Sequence, residues 1–154
     1  MRIRILSISE RQPEWVAQAC TEYLRRMPRH LPVEVVELAL AKRREDHLRA
    51  KVEEGERLLA AVPKSANVVA LDEHGVEWTS VQLSEQLQRW QQSGRDLALL
   101  IGGPDGLSPA ALAAASQRWS LSRLTLPHGM VRIVLAEQLY RAHTILEGHP
   151  YHRA

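Results

Sequence analysis

The sequence predicts an α/β fold with a mostly parallel sheet and flanking helices. Short apolar runs typical of buried strands alternate with longer stretches in which apolar residues recur at helical spacing. With 45% hydrophobic and 25% charged residues, the composition is that of a globular protein with its own core. No internal repeat, low-complexity tract or long linker divides the chain, so we expect a single domain over residues 1–154.

The opening residues predict a strand and then a helix. Ile3, Ile5 and Ile8 mark the strand, and Pro13 stands near the start of the helix. The apolar stripe of that helix consists of Trp15, Val16, Ala19, Cys20, Tyr23, Leu24 and Met27. Because Cys20 is the only cysteine, a disulfide within the chain and a cysteine-based zinc site are excluded, and we expect a buried thiol.

Two more strands and a helix between them follow. The strands are predicted over Val33–Leu38 and over the run NVVAL at 67–71, which ends at Asp72. The apolar positions in helical phase between them are Leu48, Val52, Leu59 and Val62, with charged residues on the other face.

Capping residues predict the next two helices. Thr79 and Gln82 have the spacing of a capping box. The helix that they open continues through Leu83, Leu87 and Trp90 and can end at Gly94. After a strand over 96–101, Ser108 and Pro109 suit the N-cap and the first position of another helix.

The last part of the chain predicts an extended segment and a long helix. Residues 119–126 (WSLSRLTL) alternate loosely in polarity, which favours extended backbone. The helix over 128–146 is apolar on most sides between Met130 and Ala136, which predicts burial on more than one face.

Basic residues are concentrated in the first third of the chain. The net charge is only +2 and the sequence pI is about 9.0. Two short clusters consist of Arg25, Arg26, Arg29, Lys42, Arg43 and Arg44. Such clusters suit the phosphates of a nucleic acid, and a solvated surface is the alternative.

The sequence contains no apolar stretch near the ~18 residues that a membrane-spanning helix needs. Its start, MRIRILSIS, alternates like a strand and lacks the apolar region and cleavage site of a signal peptide. We therefore expect a cytoplasmic protein.

Three glycines stand within five residues in the stretch LLIGGPDGLSP, at the end of a predicted strand. No lysine follows as in a P-loop, and Gly102, Gly103 and Gly106 do not match the dinucleotide motif. A tight turn before a capped helix remains one interpretation. A ligand cradle is the other, because ligands of parallel sheets bind beyond the carboxyl ends of strands. The loops after Leu71 and around residues 121–128 compete for that role.

Chemically capable side chains gather in the last part of the chain. His128 and Arg132 are four residues apart and share a helix face, as do Glu137 and Arg141, whose alternative role is a helix-supporting ion pair. No convincing Ser-His-Asp triad or carboxylate pair is present. His149 and His152 lack a third metal ligand. The tail HPYHRA could stack on a base and contact phosphate, or simply be solvated.

Several stretches together are similar to one family. They are TEYLRRMP (21–28), LLIGGPDGLSP (99–109), WSLSRLTLPHGMVRIVLAEQLYRA (119–142) and HPYHR (149–153). Each alone is weak, but as an ordered set they closely resemble the small SPOUT-class ribosomal RNA methyltransferases, and within them the 23S rRNA pseudouridine N3-methyltransferases. The resemblance covers essentially the whole chain without a large insertion. The family's lysine-rich loop before the second helix is here AKRREDHLR, which is more acidic.

The resemblance implies an α/β trefoil knot that binds S-adenosylmethionine, and a homodimer with the active site at its interface. It also implies methylation of N3 of a pseudouridine in 23S rRNA. Because 154 residues leave no room for a separate RNA-binding domain, we expect the assembled 70S ribosome as the substrate. A related tRNA ribose 2′-O-methyltransferase and a non-enzymatic ribosome-assembly factor remain alternatives. An NAD-type oxidoreductase is least favoured because its glycine motif is missing.

The resemblance also implies site residues. The cofactor pocket is expected to be lined by Leu71, Gly102, Gly103, Leu121, Ser122, Arg123, Leu124, Thr125 and Leu126. The catalytic candidates, which would take the N3 proton or stabilise the anion, are His128, Arg132 and Arg141. The expected RNA contacts are Arg25, Arg26, Arg29, Lys42, Arg43, Arg44, Tyr151, His152 and Arg153.

Overall fold

The computed structural model describes residues 1–42 and 44–152. Within them, five strands form one sheet: β1 (Ile3–Ile8), β2 (Val33–Leu38), β3 (Asn67–Glu77), β4 (Leu97–Ile101) and β5 (Gln117–Ser120). The strand order is β2-β1-β4-β3-β5, and every neighbouring pair is parallel. This arrangement confirms the predicted α/β class. The sheet was predicted to be mostly parallel, and all of its strand pairs are parallel.

Helices cover both faces of this sheet. They are α1 (Glu14–Leu24), α2 (His47–Ala61), α3 (Ser80–Ser93), α4 (Pro109–Ala114) and α5 (His128–Glu147), followed by a 3₁₀ turn at Pro150–His152. Side chains alternate between the faces of each strand. Leu97 and Leu99 of β4 pack in the core beneath α3 and α5, whereas Ala98 and Leu100 pack beneath α2 and α4. α1 packs against α5. Burial of both faces explains why β4 is a continuous apolar run.

The predicted helix boundaries rest on observed caps. The Thr79 hydroxyl accepts a hydrogen bond from the Gln82 N–H, and the Gln82 side chain accepts one from the Thr79 N–H, which completes the capping box. Gly94 ends α3 in the left-handed region, with a φ of 72°. Ser108 caps α4 and Pro109 is its first residue. These predictions from the sequence are confirmed.

The predicted apolar face of α2 is wrong in the first half of the helix, whereas Val62, at its end, packs against the core. Leu48 and Val52 are 73% and 49% exposed, and the buried residues of the helix are Ala50, Glu54, Gly55 and Leu58. The physical reason is close packing, because a Cβ added to Gly55 would lie 2.1 Å from Ser108 Oγ at the start of α4. Trp15, predicted to lie in the stripe of α1, is also 55% exposed.

Two predicted strand ends also differ. β3 does not stop at Asp72 but continues to Glu77, with a shift in its register against β5 between Leu71 and Val76. The extended segment predicted over 119–126 leaves the sheet after Ser120. There the Ser120 hydroxyl donates to the Ser122 carbonyl, and the Leu124 N–H donates to the Ser122 hydroxyl. These local bonds replace the strand ladder.

No helix in the ranges 1–42 and 44–152 is long and apolar enough to cross a membrane.

Candidate functional site

A cavity of about 1010 Å³ lies where the strands end. Because the sheet is parallel, the carboxyl ends of its strands share one edge, and the loops that leave them can meet there. The cavity is lined by the loop after Leu71, by the glycine loop that follows β4, and by the irregular segment after β5. These are the three segments that the sequence offered as competing ligand loops. The fold brings them together around one space.

Most of the expected cofactor residues line this cavity. They are Leu71, Gly102, Gly103, Leu121, Ser122, Leu124, Thr125 and Leu126. Arg123 is not among the lining residues: its side chain is 89% exposed, and its Nε donates to Glu77 Oε1 at 2.8 Å. The other walls include apolar side chains such as Ile8 and Trp119 and charged side chains of both signs, among them Glu10, Asp72, Lys51 and Arg118.

Backbone contacts within the glycine loop, residues 102–107, hold it in a tight turn. The Gly106 N–H donates to the Gly103 carbonyl at 3.0 Å, and Gly106 has a φ of 82°. A Cβ on Gly102 would lie 2.7 Å from the Gly106 carbonyl carbon. The motif is therefore a tight turn before a capped helix, and the same loop lines the cavity.

A charged cluster supports this loop from behind. Glu54 is 2% exposed, and its Oε2 accepts hydrogen bonds from the Ala41 N–H, at 2.9 Å, and from Arg44. Arg44 Nη2 also donates to Asp105 Oδ2 at 2.7 Å, and His47 Nδ1 lies 3.0 Å from Asp105 Oδ1. Hydrogen bonding to Glu54 raises the pKa of the Arg44 guanidinium. Arg44, which is also one of the expected RNA contacts, lies between two carboxylates.

His128, the first residue of α5, lines the cavity. Its Nε2 lies 2.8 Å from the hydroxyl of Ser7, a fully buried residue of β1. Burial lowers the pKa of the His128 imidazole, and the positive charge of Arg132 lowers it further, against a smaller opposing effect of Glu37. The lowered pKa favours the neutral imidazole, the form that can accept a proton.

Arg132 does not line this cavity. Its side chain is 3% exposed, with Nη1 donating to Glu37 Oε1 at 2.6 Å and Nη2 donating to the Ser9 hydroxyl. It borders a separate cavity of about 460 Å³ between α1 and β2. The guanidinium ties the start of α5 to the ends of β1 and β2, which leaves Nε as its unpartnered nitrogen among the described atoms.

Arg141 lies toward the other end of α5, in a second cluster with Glu137, Tyr140 and Tyr151, which we name the Tyr151 cluster. Arg141 Nη2 is 2.7 Å from Glu137 Oε1, which also accepts a hydrogen bond from the Tyr151 hydroxyl at 3.1 Å. The Arg141 guanidinium lies over the Tyr151 ring, and the Tyr140 ring meets Tyr151 edge-on at 4.7 Å. From residue 128 to residue 141 the helix rises about 20 Å. Within one chain, Arg141 is therefore far from His128.

The expected RNA contacts fall into two groups. Arg25 and Arg26 both pair with Glu22, and Arg26 also lies over the Tyr140 ring, so these residues adjoin the Tyr151 cluster. Arg29 and Lys42 are exposed. His152 follows Tyr151 in the 3₁₀ turn, and its Nδ1 is buried without a partner among the described residues. Arg43 and Arg153 lie outside the described residues.

Ser7, Glu54 and Asp105 were missed by the sequence reasoning. Glu54 belongs to the charged run EEGER, which has no pattern that distinguishes a buried carboxylate from a solvated one. Ser7 occupies a strand position whose neighbours are apolar, and only that context could have marked it as a buried polar residue. Within 1–42 and 44–152, no three His, Cys, Asp or Glu side chains form a group able to hold a metal.

Comparisons with known proteins found related sequences. A family model described as "Predicted SPOUT methyltransferase" matches residues 1–152. The protein named ribosomal RNA large subunit methyltransferase H from Hahella chejuensis is 51% identical over 155 aligned residues, covering 99% of both chains. Its namesake from Chromohalobacter salexigens is also 51% identical, over 99% of this chain and 100% of the relative.

Among solved structures, the SpoU methyltransferase AviRb from Streptomyces viridochromogenes, in complex with AdoMet, aligns with a TM-score of 0.47 at 15% sequence identity. The alignment covers 94% of this chain and 61% of that one.

Proposed function

The chain belongs to the SPOUT methyltransferase family, and from that premise we propose that it transfers a methyl group from S-adenosylmethionine to N3 of a pseudouridine in 23S rRNA. We propose further that the substrate is the assembled 70S ribosome and that the enzyme is a cytoplasmic homodimer. The observation that carries the proposal is the meeting of three strand-exit loops around one cavity. The names of the two 51% identical relatives support a large-subunit rRNA substrate.

The residues around the cavity fit S-adenosylmethionine. The volume of about 1010 Å³ is at the upper end of ligand sites. Leu71, Leu121 and Leu126 offer apolar walls for the adenine, and the backbone of the glycine loop offers donors and acceptors. Glu10 and Asp72 line the same space, so carboxylates are available to the cationic parts of the cofactor. The pocket lacks a phosphate motif, which suits a cofactor without phosphate.

When bound, S-adenosylmethionine supplies an activated methyl group, so the protein's main work is to orient the acceptor and exclude water. The N3 of pseudouridine is an imide nitrogen that must lose its proton. We assign this proton transfer to His128, because it lines the cavity and burial favours its neutral form. Ser7 holds the imidazole at Nε2, which leaves Nδ1 as the acceptor when Nε2 carries the hydrogen.

The other two catalytic candidates have different roles in this proposal. Arg132 positions the start of α5, since its guanidinium is engaged by Glu37 and Ser9. Arg141 and Tyr151 lie far from His128 in their own chain, so they would act at the cavity of the partner subunit. There they would contact the RNA, together with His152 and Arg153.

A dimer also has a suitable apolar surface. A Cβ on Gly129 would lie 2.9 Å from Val16 Cγ2, so α1 and α5 cross closely at that point. Beside the crossing, Trp15 and Met130 are 55% and 37% exposed. Large exposed apolar side chains on both helices would suit a protein interface. The trefoil knot that the resemblance implies remains a prediction.

The test is methylation with labelled S-adenosylmethionine of unmethylated 70S ribosomes, separate 50S subunits and tRNA in parallel. Nucleoside mass spectrometry then locates the label. We expect it on N3 of a 23S pseudouridine in 70S particles. Label on a tRNA 2′-hydroxyl would support a ribose methyltransferase instead, and cofactor binding without label on any RNA would contradict the proposed substrate. Efficient methylation of a free rRNA hairpin would contradict the requirement for the assembled ribosome.

A further inference from the structure

We propose that Arg44, with Glu54, is a positioning residue that holds the glycine loop in its cofactor-binding shape by gripping Asp105. The inference rests on the proposed use of S-adenosylmethionine and assigns Arg44 to the cofactor side of the reaction instead of to the RNA. The three residues joined by these ion pairs, Arg44, Glu54 and Asp105, form a cluster that we name the clasp.

The clasp joins three parts of the chain that are distant in sequence. Arg44 belongs to the basic segment before α2, Glu54 lies in the middle of α2, and Asp105 is at the tip of the glycine loop. One guanidinium donates Nη1 to Glu54 and Nη2 to Asp105. Asp105 is the member that lines the cavity. Any change in Arg44 is therefore transmitted to the cavity wall through Asp105.

The buried carboxylate of Glu54 depends on the positive charge of Arg44. It is 2% exposed, and Oε1 has no hydrogen-bond partner among the described atoms. That oxygen would be 2.8 Å from a Cβ on Gly103, so the carboxylate fills the room that the glycine leaves. A buried carboxylate with an unsatisfied oxygen is costly unless a cation compensates it. Arg44 is that cation, and because the same guanidinium also pairs with Asp105, the compensation of Glu54 is coupled to the glycine loop.

Arg44 and its exposed neighbour Lys42 have different surroundings. The Arg44 side chain is 28% exposed, and both ends of its guanidinium are already engaged by carboxylates. Because two carboxylates already balance its positive charge, Arg44 attracts an RNA phosphate less than an unpaired cation would. Lys42 is exposed, with no ion pair among the described residues, and is free to meet a phosphate.

The experiment compares the wild-type dimer with Arg44→Ala/Glu54→Gln, in which the buried charge is removed together with its partner. S-adenosylmethionine affinity is measured by calorimetry, and steady-state methylation is measured on 70S ribosomes. We expect the Kd for the cofactor and its KM to rise about ten-fold, as for loss of a charge-assisted hydrogen bond. At saturating cofactor, kcat should stay close to that of the wild type. The matched control is Arg4→Ala/Glu34→Gln, which removes another ion pair between an arginine and a glutamate.

The variant Asp105→Asn is a second, independent test, and it leaves the buried carboxylate of Glu54 in place. Cofactor affinity should fall in this variant, and adding Arg44→Ala/Glu54→Gln to it should cause little further loss, because both changes remove the same ion pair. Unchanged cofactor affinity in both variants would overturn the inference, and so would additive losses. If the Arg44 variant does not fold, unchanged affinity in Asp105→Asn alone would overturn it. A wild-type protein that binds no S-adenosylmethionine would contradict the proposed function itself.

Discussion

The hydroxyl of Ser7 lies 2.8 Å from Nε2 of His128, and this bond joins β1 to the first residue of α5. Ser7 is fully buried, whereas His128 faces the cavity. A buried hydroxyl in an apolar strand needs a partner, and an imidazole needs an anchor to hold one orientation. The pair satisfies both needs, so the sheet fixes the imidazole that we assign to proton transfer.

Replacing Ser7 by alanine tests this anchoring. Without the hydroxyl, His128 loses its orientation, and we expect kcat for rRNA methylation to fall about ten-fold while cofactor affinity stays unchanged. The control is Ser84→Ala, because Ser84 is equally buried but donates to the Val81 carbonyl within α3. Equal rates for the Ser7 variant and the wild type would exclude the positioning role.

His128→Ala removes the proposed base itself. Loss of a positioned general base typically lowers the rate by about 100-fold or more, and the Kd for S-adenosylmethionine should hardly change. The wild-type rate should fall as the pH drops through the lowered pKa of His128, and this limb should be absent from the residual rate of the variant. Replacing the exposed His30 by alanine is the control. Unchanged turnover in His128→Ala would exclude it as the base.

The same histidine makes stability depend on pH. Burial lowers the pKa of His128 and of His143 in the folded protein. Below the ordinary histidine pKa of about 6.5, the unfolded chain therefore binds more protons than the folded one. The free energy of unfolding is then lost as the pH falls from neutral through the lowered values. Urea midpoints at about pH 7.5 and pH 5.5 should fall less in His128→Ala than in the wild type. An equal fall would show that other groups cause the acid sensitivity.

Close packing of α2 against α4 gives a prediction about stability alone. A methyl group at Gly55 would lie 2.1 Å from Ser108 Oγ and 2.9 Å from Ser108 Cβ. We expect Gly55→Ala to cost about 1–3 kcal/mol of unfolding free energy, as overpacking does. Adding Ser108→Gly removes both clashing atoms, and glycine costs an N-cap only a few tenths of a kcal/mol. The double variant should regain stability in urea unfolding, and no recovery would mean that the clash is not the cause.

The sequence allowed the sheet, the helix caps and the three loops of the cavity to be predicted because each depends on local patterns. Apolar runs indicate strands, and Thr79 and Ser108 cap helices through bonds within a few residues. The buried face of α2 could not be predicted in the same way. It is set by Gly55 against Ser108, a contact between residues 53 positions apart, and hydrophobicity favoured Leu48 and Val52 instead.

The roles of the charged residues were even harder to predict from the sequence than the buried face of α2. Arg44 and Lys42 stand two positions apart in one basic run, yet Arg44 is held by Glu54 and Asp105 whereas Lys42 is exposed. No feature of the run distinguishes them, because the partners come from α2 and from the glycine loop. Likewise, Arg132 and Arg141 share a helix, but the fold engages Arg132 with Glu37 and carries Arg141 to the opposite end.

This difference in engagement gives the last prediction, on the salt dependence of ribosome binding. Each basic side chain that neutralises an RNA phosphate contributes about one to the slope of log K against log salt. Arg29 and Lys42 are exposed, so replacing either by alanine should lower that slope by about one. Arg44→Ala/Glu54→Gln should leave the slope unchanged, since its guanidinium is already paired with carboxylates.

Filter binding of 70S ribosomes over a range of salt concentrations measures these slopes, with Arg4→Ala, at the Glu34 pair, as the control. A lower slope in the Arg44 variant would return this residue to the RNA-binding surface. Unchanged slopes for both Arg29→Ala and Lys42→Ala would instead locate the RNA contacts elsewhere. The Tyr151 cluster would then be the next surface to test, because Arg26 and Arg141 flank its aromatic rings.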